Sequence, residues 1–393
     1  MRDLAVAGVT LLLFLAYLFV EAGLAAKGRT ALPTRIAVTG TRGKSSVVRL
    51  IAAGLRAGGK RVAAKTTGSR AVFIAPDGEE TPLRRRGRAR ILEQSGILRR
   101  AAGAGAEVLV SEVMSIRPET YAVELGRILR PQILVVTNVR LDHLSDIGTT
   151  LEEAALAFAQ GVPLDSKVFF LLEDAPPALA SGLRRRGVVI VDSSELDVDE
   201  ALRGLPYPEW KGNLKLALGV CEALGVARDV ALSGMRTVRP DFGSLKAWRI
   251  EMASPPRPWV VISAFAANEP ESTLAALKGA RERFRLDDQR LVGLLNLRSD
   301  RGDRTEQWCK ELAKTQRVFD RLFVTGGGAT AAVRCLRRAY GVSVAALQSR
   351  KAERVLEEII AVEPNGGTLF GFGNICGLGG ALVEHWDRVG ESL

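Results

Sequence analysis

The segment IAVTGTRGKSS, from Ile36 to Ser46, joins a short apolar run to a glycine-rich turn and a helix-like stretch. A turn of this kind points successive backbone N–H groups and a helix N-terminus at a phosphate. In the P-loop pattern the lysine, here Lys44, reaches the β- and γ-phosphates, and the hydroxyl of Ser45 binds Mg²⁺. Val38 stands where the longer form of the pattern has its first glycine. The predicted phosphate-binding residues are Gly40, Thr41, Arg42, Gly43, Lys44, Ser45 and Ser46.

Apolar, β-rich runs recur along the chain and alternate with helix-like stretches. A first series consists of RIAVTG, RVAAKT, EVLVSE, QILVVTN, KVFFLL and VVIVDS, and a second of LKAWRIEM, WVVISAF, RLVGLLN, RLFVTGG and GTLFGFG, whose later strands each follow a helical stretch. This alternation indicates parallel βαβ units in doubly wound sheets covered on both faces. Between the series a helix is predicted from Asn213 to Leu224. We expect an α/β fold with one domain over residues 31–240 and a smaller one over residues 241–393.

The first thirty residues have a different character. From Leu4 to Val20 the chain carries no charge, and Glu21 alone interrupts the apolar run through Ala26. At about 1.5 Å per residue such a helix can cross a hydrocarbon core of about 30 Å. A cleaved signal peptide is the alternative, because Ala22 to Ala26 offers small residues for cleavage. The excess of basic residues after the run predicts a single-pass anchor over residues 1–30, with lipid contact over residues 4–26 and the catalytic domains on the cytoplasmic side of the cell membrane.

Polar side chains follow two later strand runs. Glu112 comes directly after EVLV, and Asn138, Asp142 and His143 follow QILVV. The carboxyl ends of parallel strands share one edge of a sheet, so these groups are expected to converge on the P-loop. Carboxylate and hydroxyl oxygens are ligands that Mg²⁺ prefers. The sequence therefore predicts a magnesium site at this edge.

Charge and side-chain counts restrict the function further. Lysine and arginine number 55 against 44 acids, a formal net charge of +11 that favours anionic partners. Two dense basic runs contribute, RRRGRAR from Arg84 to Arg90 and RRRG from Arg184 to Gly187. The four cysteines form no CxxC pair and there are two histidines, which excludes a zinc knuckle, a disulfide framework and a multi-histidine metal site.

Three motifs in this order resemble those of Mur-type ligases. GTRGKSS resembles their ATP-binding P-loop, the Glu112 of SEVMS their magnesium-binding glutamate, and TNVRLDH their TN-x-x-x-DH segment. With KTTGS, AFAANEPEST and the apolar N-terminus added, the chain is similar to the ligase subunits of poly-γ-glutamate synthases, which serve capsule biosynthesis. The resemblance runs from Thr34 to about Trp386. It implies a Mur-ligase-type ATP-binding domain followed by a Rossmann-like domain, with ATP and Mg²⁺ as cofactors.

The resemblance also implies roles for single residues. Lys44, Glu112 and His143 form the implied catalytic set, and Ser45, Glu112 and His143 the implied metal ligands. Asn138 would lie at the ATP phosphates and Asn213 on the adenine side. Ser263 stands near the position of a ribose-binding aspartate, and residues 151–163 contain no lysine to be carbamylated for a second metal. Candidate substrate or closure contacts are Thr67, Asn268, Ser272, Arg298, Asp300, Arg301 and Arg304.

The implied activity is amide-bond formation. Transfer of the γ-phosphoryl group of ATP to a carboxylate brings two anions together, which requires Mg²⁺, a lysine and backbone N–H groups. Closure of the second domain would exclude water from the acyl phosphate. The expected partners are glutamate, the growing poly-γ-glutamate chain, membrane lipid and small membrane-embedded subunits. Self-association stays open, and nucleic acid is not expected.

Two alternative functions are left by the sequence. A soluble-type Mur or folylpolyglutamate ligase would share the ATP site but predicts neither a transmembrane helix nor arginine runs. A P-loop NTPase that binds nucleic acid would explain the basic charge, and EVLVSE could serve as its second acidic motif. That reading leaves the TN-x-x-x-DH segment without a role.

Overall fold

The computed structural model describes residues 2–85, 87, 89–140, 148, 150–252, 257–286, 290–300, 302–314, 318–340 and 343–393. The chain forms two compact units, Met1–Asp241 and Phe242–Leu393. Each unit consists of a largely parallel sheet whose two faces bury different apolar clusters. In the first strand, for example, Ile36 and Val38 belong to one cluster and Ala37 to the other. This is the near-continuous apolar pattern of strands that are covered on both faces.

The first unit contains eight strands in its described part. They are β1 (Thr34–Thr39), β2 (Val62–Thr66), β3 (Val72–Ile74), β4 (Glu80–Pro82), β5 (Val108–Glu112), β6 (Ile133–Val136), β7 (Lys167–Phe170) and β8 (Val189–Asp192). Their order in the sheet is β4-β3-β2-β5-β1-β6-β7-β8. The glycine-rich turn after β1 therefore lies at the centre of the sheet, with the end of β5 on one side and the end of β6 on the other.

Helices cover this sheet. They are α1 (Arg2–Thr30), α2 (Lys44–Ala57), α3 (Glu93–Gly103), α4 (Pro118–Val123), a π-helix (Glu124–Leu129), α5 (Leu151–Gln160), α6 (Pro177–Arg185), α7 (Asp199–Arg203), α8 (Lys211–Ala223) and α9 (Arg228–Arg236). Local sequence explains some of their ends. Thr150 and Glu153, for instance, form a reciprocal capping box at the start of α5.

Sheets of purely parallel strands, as expected from the alternation, are not what the chain forms. β3 pairs antiparallel with both β2 and β4, so the first sheet is mixed. Only residues 67–71 separate β2 from β3, whereas a parallel crossover needs a dozen residues or more. A short connection therefore dictates the antiparallel pairing at this edge.

The second unit is also a mixed α/β sheet. Its strands are β9 (Lys246–Met252), β10 (Arg257–Ser263), β11 (Leu291–Leu297), β12 (Arg321–Gly326), β13 (Ser343–Ala346), β14 (Gly367–Phe372) and β15 (Glu391–Ser392), in the order β13-β12-β11-β14-β10-β9-β15. Its helices are α10 (Pro270–Phe284), α11 (Gly302–Lys314), α12 (Ala329–Tyr340), α13 (Ala352–Val362) and α14 (Leu378–Val389). β9 pairs antiparallel with β10 and β15. The expectation of a helix before β10 is thus wrong, since four residues separate it from β9.

The N-terminal helix α1 divides into an exposed part and a packed part. The part of α1 from Ala5 to Thr30 is long and apolar enough to cross a membrane, with a mean hydropathy of 2.1. Residues 5–20 are exposed, whereas Ala25 and Gly28 are buried. A Cβ atom on Gly28 would lie 3.2 Å from Leu98 Cβ, which shows how closely α1 approaches α3. The last turns of α1 are therefore part of the first unit.

Candidate functional site

The turn between β1 and α2 adopts a backbone conformation that depends on two glycines. Gly40 has φ of 118° and Gly43 has φ of 82°, and such angles disfavour other residues. A Cβ on Gly40 would lie 2.3 Å from Thr137 Oγ1, and one on Gly43 would lie 2.4 Å from Asn213 Oδ1. Both positions therefore exclude any side chain. The turn is packed tightly against β6 on one side and α8 on the other.

Lys44 opens α2 and folds over the turn. Its Nζ donates to the carbonyl oxygens of Gly40 at 2.7 Å and Thr41 at 3.1 Å. The side chain is only half-buried. An ammonium at this position carries its charge beside the backbone N–H groups of the turn, so the turn concentrates positive potential where a polyphosphate would bind.

Ser45 and Glu112 come together at the carboxyl edge of the sheet. The Ser45 hydroxyl donates to Glu112 Oε2 at 2.7 Å, and the Thr67 N–H donates to the same oxygen at 2.7 Å. β1 and β5 align Val38 with Glu112, which brings the carboxylate to the turn. Glu112 is 2% exposed. Thr67, a candidate substrate contact, is thus a backbone donor to the candidate metal ligand.

These oxygens fit a hard divalent cation. The Ser45 hydroxyl and the Glu112 carboxylate, 2.7 Å apart, are the oxygen types that a P-loop contributes to a bound Mg²⁺, whose other ligands are nucleotide phosphates and water. Asp142 and His143 lie outside the described residues. Within the described ranges no three His, Cys, Asp or Glu residues group as a metal site would require. Ser45 and Glu112 are thus the described side chains that could hold a cation together with nucleotide phosphates.

Asp241 is a second acid near Ser45 that the sequence patterns did not indicate. A Cβ on Gly68 would lie 2.4 Å from Ser45 Oγ and 3.5 Å from Asp241 Oδ2. Asp241 is buried, and its Oδ1 lies 4.0 Å from Arg49 Nε. Asp241 is the last residue of the first unit and lies far from the P-loop in sequence, so no motif predicted its place at the site. Gly68 is the residue that permits this close approach.

Asn138 lies beside the glycine-rich turn and bonds to its backbone. Its Oδ1 accepts from the Arg42 N–H at 3.0 Å and its Nδ2 donates to the Arg42 carbonyl at 3.1 Å. Its own carbonyl accepts from the Thr41 N–H at 2.9 Å. Asn138 thus clamps the backbone of the predicted phosphate-binding turn, and its contact with the ATP phosphates stays a prediction.

Asn213 lies beside the turn on α8. Its Nδ2 donates to Glu209 Oε1 at 2.8 Å, and its Oδ1 is the atom nearest to Gly43. Burial raises the pKa of Glu209, and the hydrogen bonds from Trp210, Asn213 and Ser46 counter only part of that rise. Ser46 and Asn213, both predicted nucleotide contacts, are thus linked through the Glu209 carboxyl group.

A buried polar network supports the strand end that carries Glu112. Gln94 Nε2 donates to the Glu112 carbonyl at 3.0 Å and to Glu124 Oε1 at 2.7 Å, and Ser111 Oγ donates to Gln94 Oε1 at 2.8 Å. Glu124 also accepts from the N–H groups of Met114 and Ser115. Glu124 opens the π-helix, a feature that is frequent at functional sites. Glutamine and glutamate at these positions form no recognisable motif, so the sequence analysis missed them.

A series of ion pairs lies on β2, the strand next to β5, and on the segments packed against it. Lys65, fully buried on β2, lies 3.3 Å from Glu93 Oε1, and Arg85 binds Glu93 through two hydrogen bonds of 2.7 and 2.8 Å. Burial lowers the pKa of Lys65 although Glu93, Glu112 and Glu124 attract its proton. Burial would raise the pKa of Glu93, but Arg85 and Lys65 hold it below its usual range. Arg85 of the first basic run is therefore an ion-pair partner rather than a solvated charge.

The second unit gathers several predicted contacts around a small polar pocket. The pocket is lined by Asn268, Asn296, Leu297, Arg298, Arg304, Trp308, Gly373 and Asn374. Arg298 is held by Asp300 through bonds of 2.9 and 2.6 Å. The Ser272 N–H donates to the side chain of Glu269, which caps the start of α10. Ser272 is therefore part of this helix cap. Arg301 lies outside the described residues. The Ser263 hydroxyl, near the expected ribose position, is fully buried without a hydrogen-bond partner in the described part of the chain.

Both units match known families. Residues 38–203 match the Mur ligase middle domain, and residues 250–389 match the poly-gamma-glutamate synthase CapB C-terminal domain. PGA synthase CapB of Bacillus subtilis is 34% identical over 73% of this chain and 73% of its own length. The chain belongs to the CapB family. The capsule biosynthesis protein CapB of Bacillus anthracis is 31% identical over 73% of this chain and 62% of its own. Members of the family are ATP-dependent, amide-bond-forming ligases of the Mur type, and this chain is one.

Solved structures share the fold. The Escherichia coli FolC in complex with ADP has a TM-score of 0.67 at 17% identity, covering 94% of this chain and 93% of its own. A bifunctional folylpolyglutamate synthase/dihydrofolate synthase with Mn, AMPPNP and L-glutamate bound has a TM-score of 0.65 at 15% identity, covering 94% and 93%. The fold is thus one in which nucleotide and a divalent metal have been observed.

Proposed function

We propose that this CapB-family ligase extends poly-γ-glutamate by using ATP to convert a glutamyl carboxylate into an acyl phosphate. The observation that carries the proposal is the junction of Ser45 with Glu112 beside the P-loop lysine. A nucleotide-dependent cation site of this form suits phosphoryl transfer, because that reaction needs charge neutralisation and positioning more than covalent help.

The reaction has two balanced steps. A carboxylate oxygen of one glutamyl group attacks the γ-phosphorus of ATP, and ADP leaves with the electron pair of the broken P–O bond. The amine nitrogen of the second glutamyl group then attacks the acyl carbon, phosphate leaves, and the nitrogen loses a proton to water or base. Each amide bond therefore releases one ADP and one phosphate.

The residues of the first unit have separate roles in this proposal. Lys44 and the N–H groups from Gly43 to Ser46 bind the nucleotide phosphates and neutralise the charge that develops there. Ser45, Glu112 and His143 would hold Mg²⁺, which supplies Lewis-acid stabilisation of the transferring phosphoryl group. Asn138 fixes the turn through Arg42, and Asn213 supports it from the nucleoside side.

The polar pocket of the second unit is the proposed contact for a glutamyl substrate. Guanidinium groups bind carboxylates in a planar, two-point geometry, and Arg298 and Arg304 both line the pocket. Arg298 is paired with Asp300, so a substrate carboxylate would exchange with that aspartate. Asn268 adds a neutral polar group to the same wall.

The exposed part of α1 supports the proposed single-pass anchor, with the ligase in the cytoplasm. Valine, leucine and phenylalanine side chains on this helix are largely exposed, Phe19 to 81%. Apolar exposure on that scale marks a surface that needs a partner. Small membrane-embedded subunits remain the proposed partners for export of the polymer.

Turnover by the purified full chain tests the function. With ATP, Mg²⁺ and glutamate or a short glutamyl acceptor, we expect γ-linked amide product with one ADP and one phosphate released per bond. Parallel reactions with Mn²⁺ in place of Mg²⁺ identify the metal that supports turnover. Reactions with added nucleic acid test whether nucleic acid, rather than the glutamyl chain, stimulates ATP use. ATP hydrolysis that nucleic acid stimulates and that yields no amide product would refute the proposal.

A further inference from the structure

The place where α1 enters the first unit carries an inference beyond the proposed anchor. Ala25 and Gly28 are buried, and Leu32 after the helix is fully buried in a cluster with Leu98 and Ile128. The part of α1 that is free to lie in lipid therefore ends at about Leu24. Residues 5–24 span about 30 Å at 1.5 Å per residue, which is the thickness of a hydrocarbon core.

No free linker joins the exposed helix to the sheet. Arg29 Nη1 donates to the carbonyl oxygens of Arg127 and Ile128 at 3.1 Å, and Arg35 Nη1 donates back to the carbonyl of Leu32 at 2.6 Å. One helix thus runs from the exposed segment into a packed contact with α3 and the π-helix. Whatever surface surrounds that contact must lie at the level of the lipid headgroups.

That surface is basic. Lys27 on α1, Arg99 on α3 and Arg127 on the π-helix are exposed, and none of them pairs with an acid in the described part of the chain. Arg99 follows Leu98, the residue in contact with Gly28, and the Arg127 carbonyl binds Arg29. The acids of α3 and the π-helix are occupied elsewhere: Glu93 pairs with Arg85, and Glu124 is buried in its network.

We propose that Lys27, Arg99 and Arg127 form a basic collar that binds the headgroups of anionic phospholipids and sets the orientation of the first unit on the bilayer. The proposal rests on the proposed anchor. The proposal is supported by the continuity of an apolar helix of membrane length with three exposed basic side chains near its packed end. A basic group at an anionic surface gains about fivefold in membrane partitioning.

The test uses the full chain and phosphatidylcholine vesicles with or without 30% phosphatidylglycerol. Retention of the wild-type chain on both vesicles after alkaline extraction tests the anchor alone, and its loss from both would refute the anchor rather than the collar. A Leu12→Asn, Leu13→Asn background weakens insertion enough to measure partitioning. In it we expect a preference for the anionic vesicles that falls with added salt.

Substitution then isolates the collar. Lys27→Gln, Arg99→Gln and Arg127→Gln together should lower partitioning to the anionic vesicles on the order of 100-fold and leave partitioning to phosphatidylcholine unchanged. The matched control, Arg184→Gln, Arg185→Gln and Arg203→Gln, removes three exposed charges from other elements of the same unit and should keep the preference. Equal losses in both triple variants, at equal melting temperatures, would overturn the proposal.

Discussion

At the residue scale, Lys44 combines a half-exposed side chain with a position inside the turn, where its ammonium donates to the carbonyl oxygens of Gly40 and Thr41. We expect Lys44→Ala to abolish ATP-dependent ligation while the protein stays folded, because the lost charge stabilisation costs about 3 kcal/mol or more in the transition state. Product formation and thermal unfolding measure the two effects. The control Lys278→Ala removes an exposed lysine of α10. Near-normal ligation by folded Lys44→Ala would remove the P-loop assignment.

The candidate metal ligands form the second prediction at this scale. Glu112→Gln and His143→Ala should each raise the Mg²⁺ concentration needed for the half-maximal rate, because each removes a proposed ligand or its charge. Titration of turnover with Mg²⁺ measures the shift. Glu119→Gln, on an exposed position of α4, is the matched control. Wild-type magnesium curves for both variants would make these residues structural.

From the sequence, the positions of site residues could be predicted where their partners are local or lie at the shared edge of the sheet. The P-loop pattern applies to Lys44 and Ser45 because their roles follow from one turn, and the strand-edge rule brings Glu112 to Ser45. The bond between the Asn138 amide and the backbone of Arg42, 96 residues away, could not be predicted in this way, and a role of Asn138 at the ATP phosphates stays a prediction. Asp241 and Glu124 could not be anticipated, since only the folded chain brings them to the site.

At the element scale, the ion pairs of Glu93 join β2 and α3 to the segment that contains Arg85. Glu93→Gln should destabilise the protein by about 2 kcal/mol, less than a fully buried pair because Glu93 keeps some exposure. The folded state holds the pKa of Glu93 below its usual value, so this contribution is present above about pH 4.5 and is lost as the pH falls through the folded-state pKa.

Denaturant unfolding at several pH values measures this effect. The difference between wild type and Glu93→Gln should be full at pH 7 and shrink below about pH 4.5. Glu306→Gln, which breaks an exposed pair with Lys310, should have no measurable effect on stability. A difference that does not change with pH would show that the loss comes from packing and not from charge.

The network of Glu124 joins α3 and the π-helix to the end of β5. Glu124→Gln replaces one acceptor oxygen with an amide that faces N–H donors, so we expect a loss of about 1–3 kcal/mol in the free energy of unfolding. Loss of this network should also displace the end of β5, whose last residue is the proposed metal ligand Glu112. We therefore expect the variant to require more Mg²⁺. A destabilised variant with an unaltered magnesium curve would confine Glu124 to a structural role.

The order of most strands and helices along the chain could be predicted from the sequence, but the direction of the edge strands could not. The long apolar runs predict most of the central strands because burial on both faces leaves no polar alternation. Short strands such as β3, β4 and β15 carry no such signal. The antiparallel direction of β3 and β4 follows from the short connections on either side of β3, which become evident only once the strand ends are known.

At the scale of the whole molecule, the first basic run is the candidate contact for the polyanionic product. Arg85 is bound to Glu93, so the test uses Arg84, which is exposed, with Arg86 and Arg88, which lie outside the described residues. Glutamine at these three positions should shorten the polymer or raise its KM, with kcat for a short acceptor nearly unchanged. The effect should diminish with added salt, because polyanion binding gains mainly from ion release. Unchanged polymer length and unchanged salt sensitivity would make the run a solvated loop.

The packed foot of α1 also has a consequence for the order of synthesis. Arg29 leaves the ribosome early, but the carbonyl groups that it binds belong to Arg127 and Ile128, 98 and 99 residues later in the chain. At roughly 5–20 residues per second that interval lasts about 5–20 s. During it the helix has no protein surface on which to dock. We therefore expect α1 to be delivered to its final surroundings first, and the sheet to close later onto a helix already in place.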